Sequence, residues 1–231
     1  GTSGEYLGPR DVGTGVQVQN LSPAVAVSFT ARLRQPWGDA ALTLPRFAPA
    51  GGAPNLYLPT LTERLGLPRG LYGLTVDGTG PLGAIVRTDW FETGGSAIYG
   101  APEAGDEVLL PIVERLREGR SSVIGLMNAG DEGTVVTLEY WDRDGAASRV
   151  RVIGSYALPA HGSTRMFVAH ESDLASLSGA RGWLRAYTDR RAPVSAQAYT
   201  LVEEGRHPIQ AVYGYEGVPQ SAAGDRLLVP L

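Results

Sequence analysis

The chain carries one ordered series of short motifs twice, so its fold must be something that half its length can build. GVQVQN at 15–20 answers to VIGLMN at 123–128. Each is an apolar stretch that closes on an asparagine and runs into a turn, NLSP at Asn20 and NAGD at Asn128. FAPAGG at 47–52 matches ALPAHG at 157–162, which sets Pro49 against Pro159 and Gly52 against Gly162. SAIYG at 96–100 matches QAVYG at 210–214, setting Tyr99 against Tyr213, and AGDEVLLPI at 104–112 matches AGDRLLVPL at 223–231. The order is kept throughout. The separation between partners lengthens along the chain, as small loop insertions in the second repeat would cause.

Within each repeat the apolar residues alternate or run together in short stretches rich in valine, threonine and aromatics: VSFTARL at 27–33, GAIVRTDWF at 83–91, TVVTLEYW at 134–141 and RVRVI at 149–153. The 31 glycines and 16 prolines fall between such stretches in turn sequences such as DGTGP, RDG and APAGG. Hydrophobic residues make up 43% of the chain and charged residues 19%, enough apolar side chain for a packed core. Short strands at close spacing over roughly 110 residues predict an antiparallel sandwich. The expected fold is therefore all-β: two tandem immunoglobulin-like antiparallel β-sandwiches. PTLTERLGLP at 59–68 sets Thr60 three residues before Glu63, a capping box, with Gly66 and Pro68 as stop signals. AHESDLASLSG at 169–179 holds the same place in the second repeat, so each sandwich is expected to carry one short helical turn crossing between its sheets.

Composition excludes several kinds of chemistry. The formal net charge is -4, and without a dense cationic surface to displace counterions from phosphates no nucleic-acid partner is expected. There is no cysteine and no lysine, all 20 basic residues being arginine, which removes thiolate metal sites, cysteine nucleophiles and Schiff bases. No apolar run approaches the roughly 18 residues of a membrane span. His161, His170 and His207 are isolated, and neither an H-E-x-x-H nor a G-x-S-x-G pattern occurs. Asp142 and Asp144 in WDRDG read as a hairpin turn, since the further ligands of a calcium loop are missing. A non-enzyme without metal or cofactor is expected. Of the four tryptophans, Trp90 and Trp141 fall inside strand patterns. Trp37, in the turn QPWGD, is the candidate ligand contact, with glycans as its partner class.

The register of the duplication carries the functional expectation. In the second repeat VLLPI precedes the VIGLMN strand, whereas GTSGEYLGPRDVGT, which stands before GVQVQN, has no counterpart of VLLPI; a further copy of that strand closes the sequence. The expected organisation is a first sandwich unit at 1–104 without its own opening strand, a second unit at 105–224, and a C-terminal donor strand at 225–231. Arg226, Leu227, Leu228, Val229, Pro230 and Leu231 are the expected polymer contacts, and Val16, Val18 and Asn20 the candidate acceptor strand. Pro111 and Pro230 occupy equivalent places, and since proline cannot donate to a ladder each is expected to mark an edge, a bulge or a switch between sheets. An apolar strand left unpaired seeks an edge. Insertion into the first unit of an identical subunit builds an open head-to-tail filament. The alternatives are insertion into the chain's own first unit, a two-repeat segment of a longer surface array, and an adhesive or carbohydrate-binding module.

The run of an LLPL-like strand, a polar loop, G-hydrophobic-x-V-Q-N-L, then P-A-G-G and A-x-Y-G resembles the immunoglobulin-like repeats of bacterial secreted and cell-surface proteins over nearly the whole chain. The resemblance implies an extracellular scaffold or filament component and brings no catalytic residues. The strand donation is similar to that of pilus subunits, with the donor at the C-terminal instead of the N-terminal end.

Overall fold

The fold is that of a computed structural model, which describes residues 12–68, 70–90, 95–142, 150–177, 179–204 and 207–222. The first repeat forms β1 (Val12–Asn20), β2 (Val27–Arg34), β3 (Ala40–Ala48), β4 (Asn55–Tyr57), α1 (Leu58–Arg64), β5 (Gly73–Gly78), β6 (Leu82–Trp90) and β7 (Gly95–Gly100). The second forms β8 (Glu107–Arg115), β9 (Arg120–Asn128), β10 (Thr134–Asp142), β11 (Val150–Leu158), β12 (Ser163–Phe167), β13 (Ala180–Thr188), β14 (Val194–Glu204), β15 (His207–Glu216) and β16 (Val218–Pro219). Short 3-10 turns at Val168–His170 and Ser172–Leu177 stand where α1 stands in the first repeat. The chain is all-β and its sheets are antiparallel, with one α-helix among the described residues.

Four sheets result. The first has the order β4-β1-β6-β7 and the third β12-β9-β14-β15, the same arrangement once the repeats are matched. The second is β3-β2-β5, whereas the fourth, its match, continues past β13 as β11-β10-β13-β8-β16. Val16, Val18, Phe29, Ala31, Ala48 and Leu56 join the first two sheets in one core; Leu110, Ile124, Leu138, Tyr140 and Leu184 belong to the larger core between the third and fourth.

The repeated asparagine holds the corner of each repeat. Asn20 Nδ2 donates to the carbonyls of Val25, Ala48 and Pro49, and its Oδ1 accepts from the Ser22 amide. Asn128 Nδ2 donates to those of Glu132, Leu158 and Pro159, and its Oδ1 accepts from the Gly130 amide. The glycines of the P-A-x-G turn fall in step: Gly52 and Gly162 each return a hydrogen bond to the proline carbonyl three residues back, and each accepts from the asparagine amide.

Two sequence readings shift in register and a third holds. The helix begins two residues before the expected capping box, with Tyr57 as N-cap and no side-chain cap, because Pro59 fits the first turn, where its missing N–H costs nothing. Thr60 therefore lies inside α1. The match of Tyr99 with Tyr213 is out of step by two: Tyr99 sits opposite Val86, and the residue opposite the equivalent Ala198 is Tyr215. Pro111 lies exposed where the β8–β13 ladder shifts between Gly182 and Leu184, the bulge that a missing donor favours.

The two repeats meet along the end strands β7 and β15 and through the outward face of the third sheet. Val123, Tyr199, Leu201 and Phe167 point away from the second repeat's core and pack on Ala97, Tyr99 and Val86 from the inward side of β6 and β7. Gly214 allows the approach, since a Cβ there would stand 2.8 Å from the Tyr99 ring. The Ser163 amide donates to the Pro36 carbonyl at 2.7 Å and the Gly100 amide to Glu216 Oε2 at 3.2 Å, pinning the rim. The matching positions on the first sheet are Gly15, Arg87, Asp89 and Tyr57. Arg87 and Asp89 form a surface ion pair there. The matched face is thus apolar in one repeat and carries an ion pair in the other.

Candidate functional site

The fourth sheet shows where an opening strand belongs. β8 lies along β13 with Leu110 opposite Leu184, Leu109 opposite Arg185, Val108 opposite Ala186 and Glu107 opposite Tyr187. Val108 and Leu110 point inward and are fully buried, while Leu109 lies on the half-covered outer face. The strand of the first repeat that matches β13 is β5. It pairs with β2 from Gly73 opposite Arg34 to Gly78 opposite Phe29, and with no strand on its other side among the described residues. Leu74 and Val76 pack against the core. Asp77 points outward and forms an ion pair with Arg32, and Arg34 reaches the Thr75 hydroxyl at 3.5 Å.

This places the candidate acceptor elsewhere than the sequence reading had it. Val16, Val18 and Asn20 lie in β1, hydrogen-bonded to β6 along its whole length and to β4 on the other side, so β1 has no edge to offer. Among the described residues β5 has an unpaired row of backbone groups on the side away from β2, as the other end strands β3, β4 and β7 have on theirs. The outward face of the third sheet covers the side chains of β7, but covering a face does not pair an edge: the donors and acceptors of β5 need a strand or water. The expected donor residues Arg226, Leu227, Leu228, Val229, Pro230 and Leu231 lie outside the described residues, as does the turn at 143–149.

The glycan reading finds less support in the geometry. Trp37 is 60% exposed at the tip of the β2–β3 turn, and no other ring stacks with it among the described residues. Trp141 and Trp183, opposite one another on β10 and β13, are stacked with centroids 4.8 Å apart, so each covers one face of the other's ring. Beside them Arg185 bridges Glu107 and Glu139 and lies over the Tyr187 ring, a cluster whose charges already have partners.

No family model and no curated protein matches this sequence. Among solved structures the chain is similar to the crystal structure of Thermotoga maritima 1070, at 15% identity and a TM-score of 0.39, over 51% of this chain and 97% of that one. A similarity of that size carries no argument about function.

His161 occupies a turn in left-handed conformation, as the equivalent Gly51 does, with Nε2 3.0 Å from Asp131. Burial pushes up the Tyr99 and Tyr199 phenols on the two sides of the contact between repeats. Tyr156 is pushed up to about 12, first by burial and then by the carboxylates of Glu171 and Asp173. The folded state therefore favours the neutral phenol. Its contribution to stability is complete below the ordinary phenol value of 10.0 and is lost as pH rises from there through about 12. Unfolding followed between pH 9 and 12 is expected to show a declining midpoint that Tyr156→Phe makes shallower.

Proposed function

We propose that the chain is a non-enzymatic structural subunit of an extracellular or cell-surface filament, built as two tandem immunoglobulin-like sandwiches and joined head to tail by strand addition. Residues 226–231 of one subunit lie along β5 of the next. The observation that carries the reading is the pairing of β5 with β2 alone among the described residues, while its match β13 carries β8, whose sequence returns at 226–231. The backbone supplies affinity in such a contact, and alternate side chains supply specificity. With β8 as template, Leu227 and Val229 take the inward places of Val108 and Leu110, and Leu228 takes the outward place of Leu109. Donor and acceptor on different subunits make a heterologous contact, which propagates without closing.

The test compares the full chain with one ending at Ala223 by size-exclusion chromatography and negative-stain imaging. The full chain is expected to give concentration-dependent linear assemblies and the shortened one monomers. A full chain that stays monomeric at high concentration, or assemblies that survive the truncation, would overturn the proposal.

A further inference from the structure

We infer that the strand added to β5 is held in a single register, with Arg226 of the incoming subunit directly opposite Asp77, and that this pair keeps the two similar strands of the sequence from taking each other's place. The inference rests on the strand-addition reading above and names the contact that gives it specificity. The register follows from the duplication. The ladders of β2 with β3 and of β10 with β11, in which Val27 opposite Ala48 answers to Thr134 opposite Leu158, match Leu74, Thr75, Val76 and Asp77 with Leu184, Arg185, Ala186 and Tyr187. DEVLLPI at 106–112 returns as DRLLVPL at 225–231. The β13–β8 ladder therefore transfers as Leu74 with Val229, Thr75 with Leu228, Val76 with Leu227 and Asp77 with Arg226.

The charges then sort the strands. On the fourth sheet the acid sits on the entering strand and the base on the receiving one: Glu107 takes a hydrogen bond from Arg185, whose guanidinium also reaches Glu139. In the first repeat the signs are reversed, with Asp77 on the receiving strand and Arg226 on the donor. An arginine in the place of Glu107 would meet Arg185, and a glutamate in the place of Arg226 would meet Asp77. Opposite charges across a ladder stabilise it and like charges directly opposite destabilise it, so each strand fits one edge and is disfavoured at the other. The Asp77 side chain is 66% exposed, and a carboxylate with several acceptor sites can serve Arg226 while keeping Arg32.

Because the chain has no cysteine, engineered pairs read the register directly. Residues directly opposite in a ladder lie about 4.5–5.5 Å apart at Cα, within disulfide reach, whereas pairs offset by two lie beyond it. Full-length Asp77→Cys, Arg226→Cys is expected to give a ladder of covalent oligomers on mild oxidation, and Asp77→Cys, Leu228→Cys only traces. Equal ladders, or a ladder from the offset pair alone, would overturn the register. So would the absence of any cross-link in assemblies that the truncation at Ala223 abolishes, and that result leaves strand addition standing; assemblies indifferent to the truncation sink the strand-addition reading itself. A cross-link that closes within one monomer keeps the register and overturns the head-to-tail arrangement. The charge reversal Asp77→Arg is expected to weaken assembly up to about fivefold, with recovery when Arg226→Asp is added. A single reversal that changes nothing overturns the sorting role.

Discussion

Asn128→Ala is expected to destabilise the second repeat by about 3 kcal/mol, read as a lower urea midpoint at unchanged slope. Asn128 is fully buried, and its amide serves four backbone groups that have few alternatives. Alanine removes the donor to the Glu132, Leu158 and Pro159 carbonyls and the acceptor for the Gly130 amide, leaving these polar groups unsatisfied at a corner where three segments meet. The hole left by a carboxamide can admit a water, which limits the loss to less than the sum of the separate bonds. Asn128→Asp should cost more, since a carboxylate would turn acceptors toward three carbonyls and neutralise itself only by protonation. Asn20→Ala should act alike on the first repeat, where the amide makes the same set of bonds. A loss below about 1 kcal/mol at Asn128 would mean that the corner is held by the turn backbone and not by the side chain.

The corner was legible in the sequence because each of its parts is a short local motif that occurs in both repeats: an asparagine after an apolar strand, and a P-A-x-G turn. The strand positions were legible for the same reason, and the bulge at Pro111 followed from the missing donor. What failed was non-local. Which strand ends a sheet depends on strand order: among the described residues β5, some fifty residues beyond β1 in sequence, pairs with β2 alone, and nothing in the pattern of Val16 and Val18 says that β1 is flanked on both sides. The Tyr99 match failed because identical A-x-Y-G letters were aligned without the ladder that sets their register, and β15 carries an extra residue, Val212, opposite the step from Thr200 to Leu201. The contact between the repeats left a signal that a closer reading of the pairs would have used. GVQVQN alternates, as a strand with one wet face does, whereas VIGLMN runs apolar without a break, as a strand buried on both faces does.

That difference leads to the second large expected effect, in which Leu201→Asp separates the two repeats. Leu201 is 6% exposed among Ala97, Tyr99, Val123 and Phe167, and its match in the first repeat is Asp89, on the same outward face. The substitution thus installs in the second repeat the residue that the first already carries. On the first sheet the carboxylate is harmless, because Arg87 lies 2.8 Å away and water reaches both. At position 201 the residue matching Arg87 is Tyr199, which offers no cation, and Arg165 on the same face is already engaged with Tyr199 and the Phe167 ring, so burying the charge would cost up to roughly 3 to 5 kcal/mol. Each repeat keeps its own core, and the least costly response is for the contact to open, which wets Ala97 and Tyr99 along the inward side of β7. Trypsin is blind to the 101–106 segment, which has no basic residue, so the measurement is cleavage there by a glutamate-specific protease at Glu103. Fast cleavage in Leu201→Asp, with the parent chain resistant and Asp89→Leu indistinguishable from it, is the expected pattern. Equal resistance in all three chains would mean that the apolar face of the third sheet does not hold the repeats together.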